Sequence, residues 1–123
     1  MPNRIIVPTI GQEGLNATLA EHFGRAPYFT VVDLKNGEIA EVKAVPNMGE
    51  HTGGMGYAHN HILKLQPNVI IVYGMGPRGL NTFQSAGTAV LKANANTVSE
   101  VIAAYKENKL RELTEGCHDA HHH

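Results

Sequence analysis

Val69-Ile70-Ile71-Val72-Tyr73-Gly74-Met75-Gly76-Pro77-Arg78-Gly79-Leu80 is the stretch whose reading decides the fold class. The run Val69 to Val72 is continuously apolar and β-branched, which suits a strand buried on both faces rather than on one. Pro77 sits where the first turn of a helix tolerates its missing N–H. Leu80 and Phe83 follow at i, i+3 and start an apolar helical stripe. A doubly buried strand that hands over directly to a helix reads as part of an α/β domain.

Working outward, the same alternation recurs. On the N-terminal side, Met55, Ala58, Ile62 and Leu65 recur at helical spacing. On the C-terminal side, Thr88 to Leu91 is the next strand, bracketed by Gly87 and by Asn94-Ala95-Asn96. Thr97 and Glu100 then make a capping box, with Val98, Val101, Ile102 and Tyr105 on the buried face of a last helix. The N-terminal third differs. Arg4 to Pro8 reads as a strand, Leu15 to Glu21 as a helical turn broken by Gly24-Arg25-Ala26-Pro27, and Tyr28 to Asp33 as a second strand. Asn36-Gly37 is a hairpin signal. Glu38 to Val45 alternates imperfectly, as an edge or bulged strand does. The expected order is βββαβαβα, one domain over residues 1–113, followed by a tail over 114–123 without a packing pattern.

That order has a functional consequence. If the first, third, fourth and fifth strands are parallel, the loops Gly11–Arg25, Pro46–Gly54 and Gly74–Gly79 meet at one sheet edge. Open α/β sheets bind ligands at that edge, where the strand order reverses.

Composition narrows the partners. The chain has 123 residues and a formal net charge of -1, so no whole-molecule field attracts a polyanion, and nucleic acid is not an expected partner. Cys117 is the one cysteine. It cannot form an internal disulfide, and it cannot supply the usual thiolate cage of an iron–sulfur cluster. No apolar run is long enough for a secretion signal or a membrane span, so the expectation is a cytoplasmic protein with no membrane partner.

Gly74-Met75-Gly76-Pro77-Arg78-Gly79 matches G-x-G-x-x-G, but the end of the next strand, Leu91-Lys92-Ala93-Asn94, lacks the carboxylate that would hold a ribose. A dinucleotide is disfavoured; backbone N–H groups for some other anion remain. His51-Thr52-Gly53-Gly54 offers a nitrogen ligand within a close-approach loop. In Glu21-His22-Phe23-Gly24-Arg25-Ala26, His22 and Arg25 suit an anion, with Phe23 either anchoring it or plugging the core. His59 and His61 stand about 200° apart on a helix and cannot share one metal. His61 is expected to face solvent. Cys117, His118 and His121 in the tail suit weak binding of Zn, Ni or Cu. No serine has a nucleophile-elbow context and no carboxylates pair, so no catalytic residue is assigned and an enzyme is the less favoured reading.

Gly14 to Phe29, with its His22-Phe23-Gly24-Arg25-Ala26 run, closely resembles the N-terminal signature of the dinitrogenase iron–molybdenum cofactor biosynthesis family. Asn47, His51 and Gly53-Gly54 resemble its central loop, and Val72 to Arg78 its later strand-to-loop motif. The similarity runs to about Leu113 and is strongest to the small stand-alone archaeal and bacterial members. It implies a ribonuclease H-like fold with a five-stranded mixed sheet and flanking helices. It also implies a carrier of an iron–sulfur or iron–molybdenum-type cluster, or its precursor, working with cluster-assembly or acceptor proteins. The residues placed around the cargo are His22, Phe23, Gly24, Arg25, His51, Gly53, Gly54, Gly74, Met75, Gly76 and Arg78. The alternatives are a Zn- or Ni-binding protein acting through the tail, and a nucleotide- or anion-binding module. Nuclease chemistry needs clustered carboxylates, and Asp33 is the only Asp before Asp119.

Overall fold

In the computed structural model, which describes residues 2–47 and 55–113, five strands form one sheet in the order β3-β2-β1-β4-β5. The strands are β1 (Pro2–Thr9), β2 (Tyr28–Lys35), β3 (Glu38–Pro46), β4 (Val69–Val72) and β5 (Ala89–Lys92). The helices are α1 (Met55–Lys64), α2 (Pro77–Ser85) and α3 (Val98–Lys106). Two short 3-10 turns, Gly14–Asn16 and Phe23–Arg25, lie between β1 and β2.

β1 runs antiparallel to β2, and β2 antiparallel to β3. β1 pairs in parallel with β4, and β4 with β5. The sheet is therefore mixed and open, with only β2 reversed. The carboxyl ends of β1, β3, β4 and β5 (Thr9, Pro46, Val72 and Lys92) all reach one edge.

Side-chain alternation splits the core into two layers. Ile6, Phe29, Val31, Ile70 and Val72 face one way and pack with Ile62 of α1 and Leu80 and Phe83 of α2. Ile5, Val7, Val32, Val69 and Ile71 face the other way, toward Val98, Val101 and Ile102 of α3. β4 feeds both layers, which is why its sequence is apolar without interruption.

Local signals set the boundaries. Asn36 and Gly37 both have positive φ, 57° and 81°, as a tight type I′ hairpin turn requires. Thr97 caps α3: its Oγ1 accepts from the Glu100 N–H at 3.4 Å and donates to Glu100 Oε1 at 2.9 Å. β3 is an edge strand, and its register against β2 slips between Asp33 and Leu34, leaving Ala40 as the extra residue. The bulge explains its imperfect alternation.

One expectation is corrected. The helical turn expected within Leu15 to Glu21 is confined to Leu15 and Asn16, in the 3-10 turn Gly14–Asn16; from Ala17 the chain extends and forms bridges Thr9–Leu19 and Thr18–Thr97. Ala17 and Leu19 are buried with Thr18 exposed between them, a period of two. The Val98 N–H donates to Ala17 O and the Leu19 N–H to Asn96 O, satisfying the backbone across the sheet end.

The outer edge of β5 is covered by the chain itself. The Lys92 N–H donates to Arg111 O and the Leu113 N–H to Val90 O, each at 2.8 Å.

Candidate functional site

β1 and β4 are neighbours from which the chain continues in opposite directions across the sheet, so the strand order reverses between them. At their carboxyl ends lies an open cleft of about 570 Å³. Thr18, Glu21, His22 and Arg25 form one wall, and Tyr73 and Asn96 the other.

The first wall is held from below. The Ala20 N–H donates to Pro8 O and the Ile10 N–H to Thr18 O, both at 2.9 Å, which fastens residues 18–20 to the end of β1. Phe23 is only 3 % exposed, with ring centroids 5.1 Å from Phe29 and 5.5 Å from Phe83. Its ring fills the core, and that anchoring leaves the flanking His22 and Arg25 exposed at the cleft. Asn47, just past β3, is buried. Its Nδ2 donates to Ala26 O at 2.8 Å and to Gly24 O at 3.2 Å, and its backbone N–H to Pro27 O at 2.9 Å. The end of β3 thus fixes the backbone that carries Arg25.

The second wall is tied by one phenol. The Tyr73 hydroxyl lies 3.0 Å from Ala95 O and 2.8 Å from Asn96 Oδ1 and shares its proton between them. Burial pushes its pKa up, and the nearby charges of Glu21 and Glu100 push it further, so it remains a donor at neutral pH. With Oδ1 engaged, the amide nitrogen is the part of Asn96 left to donate.

Electrostatically the cleft is mixed. Arg25 makes no ion pair with any described residue, and Glu21 on the same wall opposes it. The charges of Arg25 and Glu21 offset one another, so the lining offers hydrogen-bond donors without a net charge of its own. Among the described residues, no group of three or more His, Cys, Asp or Glu could hold a metal ion.

The residues expected from sequence are distributed as follows. His22 and Arg25 meet in the cleft, with Gly24 between them. Met75 is buried in the core beneath α2. Gly74, Gly76 and Arg78 lie on the adjoining segment that leaves β4 after Tyr73. Gly76 caps α2 with φ −61°, and a Cβ there would meet nothing within 4 Å, so neither backbone nor packing calls for glycine. His51, Gly53, Gly54, Cys117, His118 and His121 lie outside the described residues. His61 differs from its solvent-facing expectation: it is half-buried, and its Nε2 is shielded without a hydrogen-bond partner among the described residues.

Tyr73, Asn96, Glu21 and Thr18 were not singled out in the sequence. The Asn94-Ala95-Asn96 cluster was the available signal, and it reads only as a strand boundary. Asp33 stands at the opposite edge in a bidentate pair with Arg4 (Nε–Oδ1 2.8 Å, Nη2–Oδ2 3.1 Å), and Arg4 Nη1 donates to Leu65 O. No described helix is long and apolar enough to cross a membrane.

Comparison with known proteins gives this geometry a family. An uncharacterised protein of Methanocaldococcus jannaschii, MJ0580, is 35% identical over 101 residues, spanning 80% of this chain and 85% of the relative. Among solved structures, the apo orange protein of Desulfovibrio gigas superposes with a TM-score of 0.80 at 26% identity, covering 92% of this chain and 94% of that one. The protein PH0822 gives 0.76 at 28% identity, covering 89% and 96%. Residues 4–108 match the family described as dinitrogenase iron-molybdenum cofactor. The chain belongs to the dinitrogenase iron–molybdenum cofactor family.

Proposed function

We propose that the chain carries an anionic metal cluster of the iron–sulfur or iron–molybdenum type, or a precursor, in the cleft beside β1 and β4. It would pass this cargo between assembly and acceptor proteins. The observation that carries the reading is the meeting of His22 and Arg25 with the Tyr73–Asn96 wall at the point where the strand order reverses.

The donor set suits such a cargo. A cluster with its own sulfide shell presents negative charge and acceptor sulfurs, which guanidinium and amide donors can meet. His22 is a nitrogen ligand available to one metal. His51 is its proposed companion, on the segment that follows Asn47. No thiolate is present in the domain over residues 1–113, so the cargo is held by sparse ligation. Glu21 weakens the hold further, and a carrier has to let go. The roles are those of a binding protein: Arg25 supplies charge, Tyr73 orients Asn96, and Phe23 and Asn47 hold the loop in place. A five-stranded mixed sheet with helices on both faces also supports the ribonuclease H-like reading of the fold.

Anaerobic reconstitution with ferrous iron, sulfide and molybdate, followed by desalting, tests the proposal. The protein is expected to retain iron and visible-region absorbance, and His22→Ala and Arg25→Ala to lose most of both. Absence of bound iron, or variants that load like the parent chain, would sink it.

A further inference from the structure

The two edges of the sheet are treated differently. The outer edge of β5 is covered by residues 111–113, whereas the outer edge of β3 has no backbone partner among the described residues. An open edge presents a row of unpaired N–H and C=O groups, and its charges decide what can add to it.

β3 reads Glu38-Ile39-Ala40-Glu41-Val42-Lys43-Ala44-Val45-Pro46. Glu41 and Lys43 are both exposed, and their partners on β2 are Asp33 and Val31. Two residues apart on one strand, they stand on the same face. Glu41 sits on a rung directly beside Asp33, a like charge across the strands that is unfavourable. Its nearest cation on that rung, Arg4, is committed to Asp33 and to Leu65 O. Glu41 makes no ion pair with a described residue.

We propose that β3 pairs antiparallel with β3 of a second copy of this chain, about a two-fold axis at Val42. In that register Glu41 faces Lys43 of the second copy, and Lys43 faces its Glu41. Val42 meets Val42, and the regular ladder stops at the bulge residue Ala40, beyond which Ile39 shares the face of Leu34 and not that of Val45. Moving the axis one residue either way sets Glu41 against Glu41 or Lys43 against Lys43, so the charges select one register. The partner's Lys43 supplies Glu41 with a cation that, unlike Arg4, is not hydrogen-bonded to Asp33. The bulge at Ala40 confines the regular ladder to a few rungs, which makes this a weak, reversible dimer and not an obligate one. The resulting sheet is continuous across the two copies. Both clefts stay open, because β1 and β4 lie on the far side of β2 in each copy.

Sedimentation velocity from micromolar to millimolar concentration tests the proposal on the full chain. The parent protein is expected to move from monomer to dimer as concentration rises. Lys43→Glu, on an exposed side chain, is expected to weaken dimerisation by about tenfold or more, since attraction becomes repulsion on two rungs. The charge swap Glu41→Lys with Lys43→Glu is expected to restore it, with circular dichroism confirming the fold of each variant. A parent chain that stays monomeric throughout overturns the proposal. So does a dimer that Lys43→Glu leaves intact, or a swap that restores nothing. A monomer whose β3 amides nonetheless exchange slowly would assign the edge to another segment of the same chain and also overturn it.

Discussion

The phenol of Tyr73 lies 2.8 Å from the side-chain oxygen of Asn96, joining the segment that leaves β4 to the segment that leaves β5. These segments come from neighbouring parallel strands, and one hydroxyl sets the width of the wall they form together. Removing it in Tyr73→Phe is expected to cost about 1 kcal/mol in urea unfolding and to reduce cargo retention without unfolding the domain. The pH dependence has a definite sign. The folded-state pKa of Tyr73 lies above its ordinary value, so the native state holds this proton more tightly than the unfolded chain. Its contribution is fully present below the unfolded-state pKa of about 10 and is lost as pH rises through the higher folded value. Stability curves of the parent and Tyr73→Phe should converge at alkaline pH. Parallel curves would refute the assignment.

Asn47 tests how far the end of β3 governs the cleft. Its side-chain amide satisfies two carbonyls of the loop that carries Arg25. Asn47→Ala leaves those carbonyls without that donor and is expected to cost about 1–3 kcal/mol. Asn47→Asp should be worse, because it sets a carboxylate against two acceptors. Denaturant melts rank the variants; an Asp variant as stable as the parent chain would contradict the bonding pattern.

Phe23 separates an anchor in the core from an anchor on the cargo. Phe23→Ala is expected to cost about 3–5 kcal/mol, as for other buried aromatic truncations, and to abolish retention by freeing the loop. Phe23→Leu keeps an apolar plug between Phe29 and Phe83 and should retain most of the cargo. If Phe23→Leu loads no better than Phe23→Ala while remaining folded, the ring touches the cargo.

Glu21 opposes an anion at the cleft. Glu21→Gln removes that charge and is expected to slow cargo loss after desalting by about two- to tenfold, in line with a single exposed charge. Faster loss would mean that the carboxylate is itself a ligand.

At the other end of the sheet, the hydrogen bond from Arg4 holds the Asp33 carboxyl below the usual range against the opposing effect of desolvation, and the positive charges of Arg4 and then Lys43 add smaller lowering effects. A depressed carboxylate contributes stability above its unfolded pKa and loses it as pH falls through the folded value. Asp33→Asn should therefore lower stability at neutral pH by about 1 kcal/mol or less, the pair being partly exposed. The difference should vanish in acid. A gap that persists at pH 2 would point to packing instead.

Much of the fold was legible because its signals are local. Val69 to Val72 names its own burial, Asn36-Gly37 its own turn, and Thr97 with Glu100 its own cap. The segment Ala17–Leu19 was not legible. Its helix-like composition is overruled by partners near residue 97, almost the whole domain away, and pairing of that range leaves no trace in a local window. The cleft divides the same way. His22 and Arg25 stand out by type and spacing, whereas Tyr73 and Asn96 become a unit only when β4 and β5 lie side by side. Ala40 was half visible: broken alternation announced an irregular strand, but not which residue stands out of register.

The position of the Arg4–Asp33 pair bears on how such a protein can change. This staple, with its bond to Leu65 O, closes the sheet at the end remote from His22 and Arg25. The groups that fasten the domain shut and the groups proposed to meet cargo are thus spatially segregated. A lineage can exchange the residues facing the cleft, and with them the preferred cluster, while the opposite end keeps the scaffold closed. Affinity and robustness thereby become separately tunable traits.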